Sequence, residues 1–358
     1  MRVLLAGGGT GGHIAPALAV AEAVKAADPS VEVHFAATTR PVDRSMYASW
    51  GGSVTFMRAP RVDCGWTGRS LLPFSAALAV GRALSLLAES RPAAILATGG
   101  YSSFYCALAG RLRGTPVLLH ESNAIPGRAN RVASRFASRV LVGFECAAAC
   151  FGGRALFVGN PVRPSLRRMD RRAARIALGL SPELPTVLVL GGSQGARALN
   201  DLALLAPPGL QVVLQCGERD AARMSSSARE RSGVLPVPFA VDPSPLYSCA
   251  DLAIARAGAM TLAELSHFAL PAVLIPYPFA ADDHQSMNAA AAAATGGALS
   301  LKESVLSADG LWTAVREVLS EPERLASMSR AISGLFPGGS AGIVAGLLLD
   351  AARGGASR

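Results

Sequence analysis

The chain has 358 residues, 51% of them hydrophobic and 16% charged, with a formal net charge of +9. That length and apolar content are enough for a large core, suggest two domains and exclude a disordered tail. The charge is one-sided: residues 1–165 hold 17 of the 34 basic residues but 8 of the 25 acids, so the whole excess lies in the first half. Such a field suits a phosphorylated substrate, an acidic membrane surface or nucleic acid, against a solvated basic face with no partner.

The chain opens on RVLLA and runs into GGGTGGH, with glycine at 7, 8, 9, 11 and 12. Residues 3–21 carry no formal charge, the profile of a membrane span or signal peptide, but five glycines make a poor spanning helix and Arg2 alone is a meagre basic flank. The pattern predicts a buried strand over 2–6, a glycine turn and a helix from about Ile14 with Pro16 in its first turn. Strand, glycine turn and helix start form an anion site, because glycine lets the backbone approach closely and the helix dipole favours phosphate. Gly7, Gly9 and Gly12 also satisfy G-x-G-x-x-G. A NAD-binding unit needs an acid at the end of its second strand, yet that strand ends in Ala36, Ala37 and Thr38. Arg40 could receive a 2′-phosphate, so an NADP-dependent oxidoreductase stands as an alternative.

Further apolar runs at 31–37, 93–97 and 116–120 each precede turn residues and a helical segment. The same grammar restarts at 186–190, which feeds Gly191-Gly192-Ser193-Gln194-Gly195-Ala196 and a helix over 197–205. Two doubly wound α/β domains follow, each presenting the carboxyl ends of its strands to a shared cleft. Gly159-Asn160-Pro161-Val162-Arg163-Pro164 reads as the linker, giving domains at 1–163 and 164–336 and a tail, 337–358, with a helix over 341–352.

In the second half, 251–256 reads as a strand, Ala257-Gly258-Ala259 as a turn, and 260–268 as a helix whose start Thr261 caps or nearly caps. A diphosphate suits that helix start. Glu264 lies one turn in, where its carboxylate can accept from two ribose hydroxyls, against a plain reading as a solvated acid. A strand over 272–277 leads to Asp282-Asp283-His284-Gln285, and Gln285 and Asn288, at i and i+3, share a face suited to sugar hydroxyls. His13, as a neutral imidazole, is the candidate general base, or else a residue orienting phosphate; His120 and Glu121 form a second candidate pair. The six cysteines, Cys64, Cys106, Cys146, Cys150, Cys216 and Cys249, lack zinc spacing, and reduced thiols are expected. No Asp-x-Asp triplet occurs, which favours helix starts and backbone N–H groups over a carboxylate-held divalent ion as the means of neutralising a diphosphate. Residues 64–74 combine Trp66, Phe74 and leucines with Arg69, and Arg82 follows, a composition suited to a membrane interface or to ordinary core.

Six motifs stand in one order: Gly8-Gly9-Thr10-Gly11-Gly12-His13, Gly99-Gly100-Tyr101, His120-Glu121 with Asn123, the linker motif, residues 191–196, and Asp283-His284-Gln285 with Asn288. Over about residues 3–301 the chain resembles the MurG family, peptidoglycan N-acetylglucosaminyltransferases. The resemblance implies a GT-B fold of two Rossmann-like domains and an inverting transfer from UDP-N-acetylglucosamine. The acceptor would be the 4-hydroxyl of muramic acid on an undecaprenyl diphosphate carrier. No cofactor, metal or nucleic acid is implied. It implies that the donor meets Thr10, Gly11, Gly12, His13, Asn123, Arg163, Ser193, Ala240, Met260, Thr261, Glu264, His284 and Gln285. The acceptor diphosphate would meet Gly8, Gly9, Thr10, Gly11, Gly12, Gly100 and Tyr101. A peripheral position on an anionic membrane surface at the cytoplasmic face, the last helix packed on the first domain, and other cell-wall synthesis proteins as partners also follow. Ser122 replaces a usual glutamine, Tyr105 a common proline, and Ala240 is smaller than expected near the uracil. The alternatives are a GT-B transferase with another sugar or acceptor, and a nucleotide-binding module without catalysis.

Overall fold

The protein is described by a computed structural model over residues 1–58, 72–191, 196–229 and 233–355. Two units emerge, Met1–Ser165 with Pro337–Arg358, and Leu166–Phe336. In the first, seven parallel strands run β1 (Arg2–Gly7), β2 (Glu32–Thr38), β3 (Ser53–Met57), β4 (Ala94–Gly99), β5 (Val117–Glu121), β6 (Arg139–Val142) and β7 (Ala155–Phe157), arranged β3-β2-β1-β4-β5-β6-β7. The helices between them are α1 (Gly11–Ala27), α2 (Pro41–Tyr47), α3 (Leu72–Ser90), α4 (Gly100–Arg113) and α5 (Arg128–Ala133).

A parallel sheet is covered on both faces, so its central strands β1 and β4 are largely apolar and buried. Along β1 the side chains alternate between two cores: Val3 and Leu5 join Ile14, Val20 and Val24 of α1, whereas Leu4 and Ala6 join Ala83 and Leu87 of α3 and Cys106 of α4. The terminal helix, Ser340–Gly355, puts Val344, Leu348 and Ala352 into the first of these cores.

In the second unit, β8 (Thr186–Leu190), β9 (Gln211–Gln215), β10 (Val234–Val237), β11 (Leu252–Ala255), β12 (Ala272–Leu274) and β13 (Ala298–Ser300) form a sheet in the order β10-β9-β8-β11-β12-β13. Its helices are α6 (Arg171–Ala177), α7 (Arg197–Ala203), α8 (Ala221–Arg229), α9 (Ser244–Cys249), α10 (Ala259–Phe268), α11 (His284–Ala294), α12 (Ala308–Ser320) and α13 (Pro322–Ser333). In each sheet the order reverses beside the first strand, between β1 and β4 and between β8 and β11. Loops at the carboxyl ends of those strands diverge and leave a crevice for ligands.

Three boundaries differ from the sequence reading. α1 begins at Gly11, not Ile14, so Pro16 lies inside the helix and its ring nitrogen cannot bond the Gly12 carbonyl. Gly12 is exposed, so water can satisfy that oxygen. β12 stops at Leu274 rather than 277, where Pro276 and Pro278 remove two ladder donors. α10 starts at Ala259 with Gly258 as its N-cap; Thr261 is the third helical residue and does not cap it. The five cysteines among the described residues are free thiols. No helix among the described residues is long and apolar enough to cross a membrane.

Candidate active site

The glycine turn after β1 is built by packing from below. A Cβ on Gly7 would lie 2.2 Å from the Thr98 hydroxyl, and one on Gly8 would lie 2.4 Å from Asp43 Oδ1. At Gly11 and Gly12 the nearest atoms stand 3.6 and 3.9 Å from such a Cβ, so no neighbour in the fold requires glycine there. Their bareness instead leaves the start of α1 open to a ligand. Helix α2 and the turn before it fix the loop. Asp43, fully buried, accepts from the N–H of Thr38 (2.7 Å) and of Gly9 (Oδ2, 2.9 Å). The Tyr47 hydroxyl donates to the Gly7 carbonyl at 2.9 Å, and Arg40 Nη1 to the Gly9 carbonyl at 2.8 Å. Burial, then the nearby Asp43 carboxylate, hold the Tyr47 phenol far above its ordinary 10, so it stays a donor.

His13 lies on α1 against the end of β4. Its Nδ1 is 3.2 Å from the Gly8 carbonyl and 3.2 Å from Thr10 Oγ1. A carbonyl only accepts, so Nδ1 carries the proton and the lone pair of the neutral ring is on Nε2. The ring rests on two glycines with left-handed φ, Gly99 (+116°) and Gly100 (+82°); a Cβ on Gly99 would lie 2.5 Å from His13 Cδ2. Thr98 Oγ1 donates to the His13 carbonyl at 2.7 Å. The crevice between β1 and β4 thus brings Gly8, His13, Gly99 and Gly100 together, and Tyr101 follows, half-buried, on α4.

The His120–Glu121 pair is not an accessible acid–base pair. His120 is fully buried, with Nε2 donating to the Gly159 carbonyl (3.1 Å) and Nδ1 facing Ser122 Oγ (3.3 Å). Burial holds its pKa below 6.5 despite the opposing pull of Gly159 and Glu121. Glu121, 2% exposed, accepts from the N–H groups of Asn123 and Gly127 and from the Asn130 amide. Both residues shape the turn that holds Asn123, whose own amide donates to Glu121 at 3.2 Å. Arg163 is half-buried near the end of this unit's first segment.

In the second unit, Gly258 opens α10 at the carboxyl end of β11, with Met260 and Thr261 half-buried in its first turn. Tyr247, from α9, donates its hydroxyl to Glu264 Oε2 at 2.5 Å. Burial first, and then Glu264, hold that phenol well above 10. Glu264 is therefore an oriented carboxylate rather than a solvated helix acid. Arg256, at the end of β11, ties three strand ends by donating Nη1 to the carbonyls of Ile275 and Pro276 and to Glu303. Gln285 Oε1 accepts from the Tyr277 N–H at 2.9 Å, which leaves its NH₂ as the donating end of that amide. Asn288 does not share a sugar-facing surface with Gln285: it is fully buried and donates to the Ala257 carbonyl. Asp282 and Asp283 (φ 50° and 53°) adopt the left-handed conformation just before His284, local strain of the kind that collects at functional loops. Ala240 lies beyond β10 between exposed Phe239 and Val241. Ser193 lies outside the described residues, as do Cys64, Trp66 and Arg69.

Residues 3–142 match the glycosyltransferase family 28 N-terminal domain and residues 186–337 its C-terminal domain. A protein of Desulforudis audaxviator is 36% identical over 94% of this chain and 94% of its own length, and one of Alkalilimnicola ehrlichii 38% over 99% of both. Both are named UDP-N-acetylglucosamine–N-acetylmuramyl-(pentapeptide) pyrophosphoryl-undecaprenol N-acetylglucosamine transferase. The chain belongs to the MurG family.

The crystal structure of Acinetobacter baumannii MurG superposes with a TM-score of 0.76 at 27% identity, covering 98% of this chain and 99% of the other. The GT-B fold of this family is thus present in both units. Asp43 and Tyr47 brace the glycine turn of the first unit, and Tyr247 and Arg256 the strand and helix ends of the second, without having been singled out from sequence. Asp43 had a weak signal as the first acid after β2; Tyr247 had none, because its partner stands 17 residues away on the next helix.

Proposed function

We propose that the protein is the inverting N-acetylglucosaminyltransferase that moves N-acetylglucosamine from UDP-N-acetylglucosamine to the 4-hydroxyl of lipid-linked N-acetylmuramyl-pentapeptide. The observation that carries this reading is similarity along the whole chain to relatives bearing that name, through both family 28 domains.

The first unit takes the acceptor. Its diphosphate lies against the open start of α1 at Gly11 and Gly12, beside Gly8, Gly9, Thr10, Gly100 and Tyr101. His13 accepts the proton of the attacking hydroxyl on Nε2, and the Nδ1–H bond to the Gly8 carbonyl steadies the imidazolium that forms. The second unit takes the donor. Its diphosphate meets the N–H groups of Met260 and Thr261 at the start of α10, together with Ser193, and the helix dipole offsets the charge that builds on the departing UDP. Glu264, oriented by Tyr247, accepts from the ribose hydroxyls, and the uracil lies near Ala240. Gln285 and His284, beside the start of α11, border the donor sugar.

Phe74, Leu78 and Arg82 recur every fourth residue on α3, with Phe74 72% exposed and Leu78 51% exposed. They form an apolar stripe ending in a cation, suited to an anionic membrane surface where a lipid-linked acceptor resides. Product analysis tests the transfer. Incubation with a short-chain lipid I analogue should add one N-acetylhexosamine, with UDP-N-acetylglucosamine preferred over UDP-glucose. A product bearing hexose instead, or none, contradicts it. Vesicle sedimentation tests the stripe: binding should favour anionic vesicles and fall with salt, and equal binding to neutral ones contradicts it.

A further inference from the structure

The glycine turn of the first unit has a charge problem. Gly9 has φ +90° and its N–H would otherwise help cradle an anion, yet it is bonded to Asp43. The same carboxylate, 0% exposed, lies directly beneath the turn; a Cβ on Gly8 would lie 2.4 Å from its Oδ1. A diphosphate arriving there meets one backbone donor fewer than the turn could offer and a fixed negative charge under it. The N–H groups and dipole of α1 are worth about half a charge, while a diphosphate diester carries roughly two. A full cation is needed at the loop itself.

Arg40 stands there. It follows β2, and its Nη1 hangs from the Gly9 carbonyl at 2.8 Å. A Cβ on Gly9 would lie 3.6 Å from Nη1 and 4.0 Å from Cζ, so the guanidinium lies alongside the turn rather than out in solvent. Among the described residues that is its one side-chain hydrogen bond, and no carboxylate pairs with it. A guanidinium has five N–H donors, so one tether leaves four for a ligand, in the planar fork that matches phosphate oxygens. The tether also lowers the cost of ordering, because the side chain is already held in place before the ligand arrives.

We propose that Arg40 is a binding residue for the acceptor's diphosphate, the cation that a glycine loop stapled by a buried carboxylate requires. This rests on the reading of the first unit as the acceptor-binding one. The chemistry recognised is a polyprenyl diphosphate diester, rather than the 2′-phosphate of NADP that an arginine after a second strand would otherwise suggest.

Two variants separate the charge from the fork. Arg40→Gln removes the charge and shortens the side chain by two bonds; Arg40→Lys keeps the charge but loses the fork. KM for a short-chain lipid I analogue should rise about tenfold to a hundredfold in Arg40→Gln and less in Arg40→Lys, with kcat and KM for UDP-N-acetylglucosamine within about twofold of the parent. Direct titration of the full chain with farnesyl diphosphate should weaken in parallel, titration with farnesyl monophosphate should weaken less, and NADP should not compete. An unchanged KM and unchanged farnesyl diphosphate affinity in Arg40→Gln overturn the proposal, as does an equal rise in both substrates' KM. If the parent protein binds farnesyl diphosphate but transfers no sugar, the transferase reading fails while the titration still decides Arg40.

Discussion

His13 Nδ1 lies 3.2 Å from the carbonyl oxygen of Gly8, and that contact fixes which nitrogen of the ring can act as a base. The proton belongs to Nδ1 and the lone pair to Nε2, so the glycine loop itself selects the tautomer. His13→Ala should lower kcat by about 10²- to 10⁴-fold, the usual loss of a general base, with melting temperature little changed because the ring packs on glycines. Near-normal turnover in His13→Ala at saturating acceptor would assign the proton to another group.

The two glycines beneath that ring respond differently to a methyl group. At Gly100 a Cβ would lie 2.2 Å from the backbone oxygen of Gly8, which cannot move without dragging the loop. At Gly99 the Cβ meets the His13 side chain, 2.5 Å from Cδ2, and a side chain can rotate away. Both residues are strained with a side chain, by about 1–3 kcal/mol each. Gly100→Ala should therefore lose the more stability in chemical denaturation, whereas Gly99→Ala should keep more of it and lose most of kcat. The reverse ranking would mean that the His13 ring is not held where it is described.

Much of this site was legible in the sequence because glycine turns after apolar strands are local signals: residues 7–12, 99–100 and 258 all fall where strand gives way to helix. What escaped depends on distance in the chain. Asp43 reaches back 34 residues to Gly9, and its place as the first acid after β2 is only a weak mark of that role. Asn288 misled for the opposite reason: i, i+3 spacing places it near the face of Gln285, but the tight packing of α11 buries it against Ala257. Thr261 was read as a cap because hydroxyl residues cap helices; an extended Gly258 took that place three residues earlier than the pattern suggested.

Tyr247 gives the donor side its own test. Among the described residues its hydroxyl makes one hydrogen bond, donated to Glu264 Oε2 at 2.5 Å. Tyr247→Phe removes that bond and leaves the stacking on Phe268 (centroids 4.9 Å apart) in place. KM for UDP-N-acetylglucosamine should rise about threefold to tenfold, with KM for the acceptor unchanged. Parallel changes in both constants would mean a general loss of structure rather than a misplaced carboxylate.

Acid stability follows from the histidines. Burial is the leading cause holding His34, His120 and His267 below 6.5 in the folded chain. Below pH 6.5 the unfolded chain therefore binds more protons than the folded one. Their stabilising contribution is full above that pH and is lost as pH falls toward the folded values. Each such histidine contributes at most about 1.4 kcal/mol per pH unit within that window. The carboxylates held low by hydrogen bonds, Asp28, Glu32 and Asp220, lose their share only beneath their ordinary 3.8, 4.5 and 3.8, so the interval from about pH 5 to 6.5 isolates the histidines. The melting temperature should fall across that interval, and less steeply in His120→Gln. Identical slopes in the two proteins would place the acid sensitivity elsewhere.

The most direct test of the central claim is UDP release from UDP-N-acetylglucosamine, measured in detergent with and without a short-chain lipid I analogue. Release that depends on the analogue, and that is lost in His13→Ala while UDP binding persists, is the predicted result. Release at the same rate without the analogue, or none above background despite confirmed UDP binding, would contradict the assignment of this chain as a lipid-linked N-acetylglucosaminyltransferase.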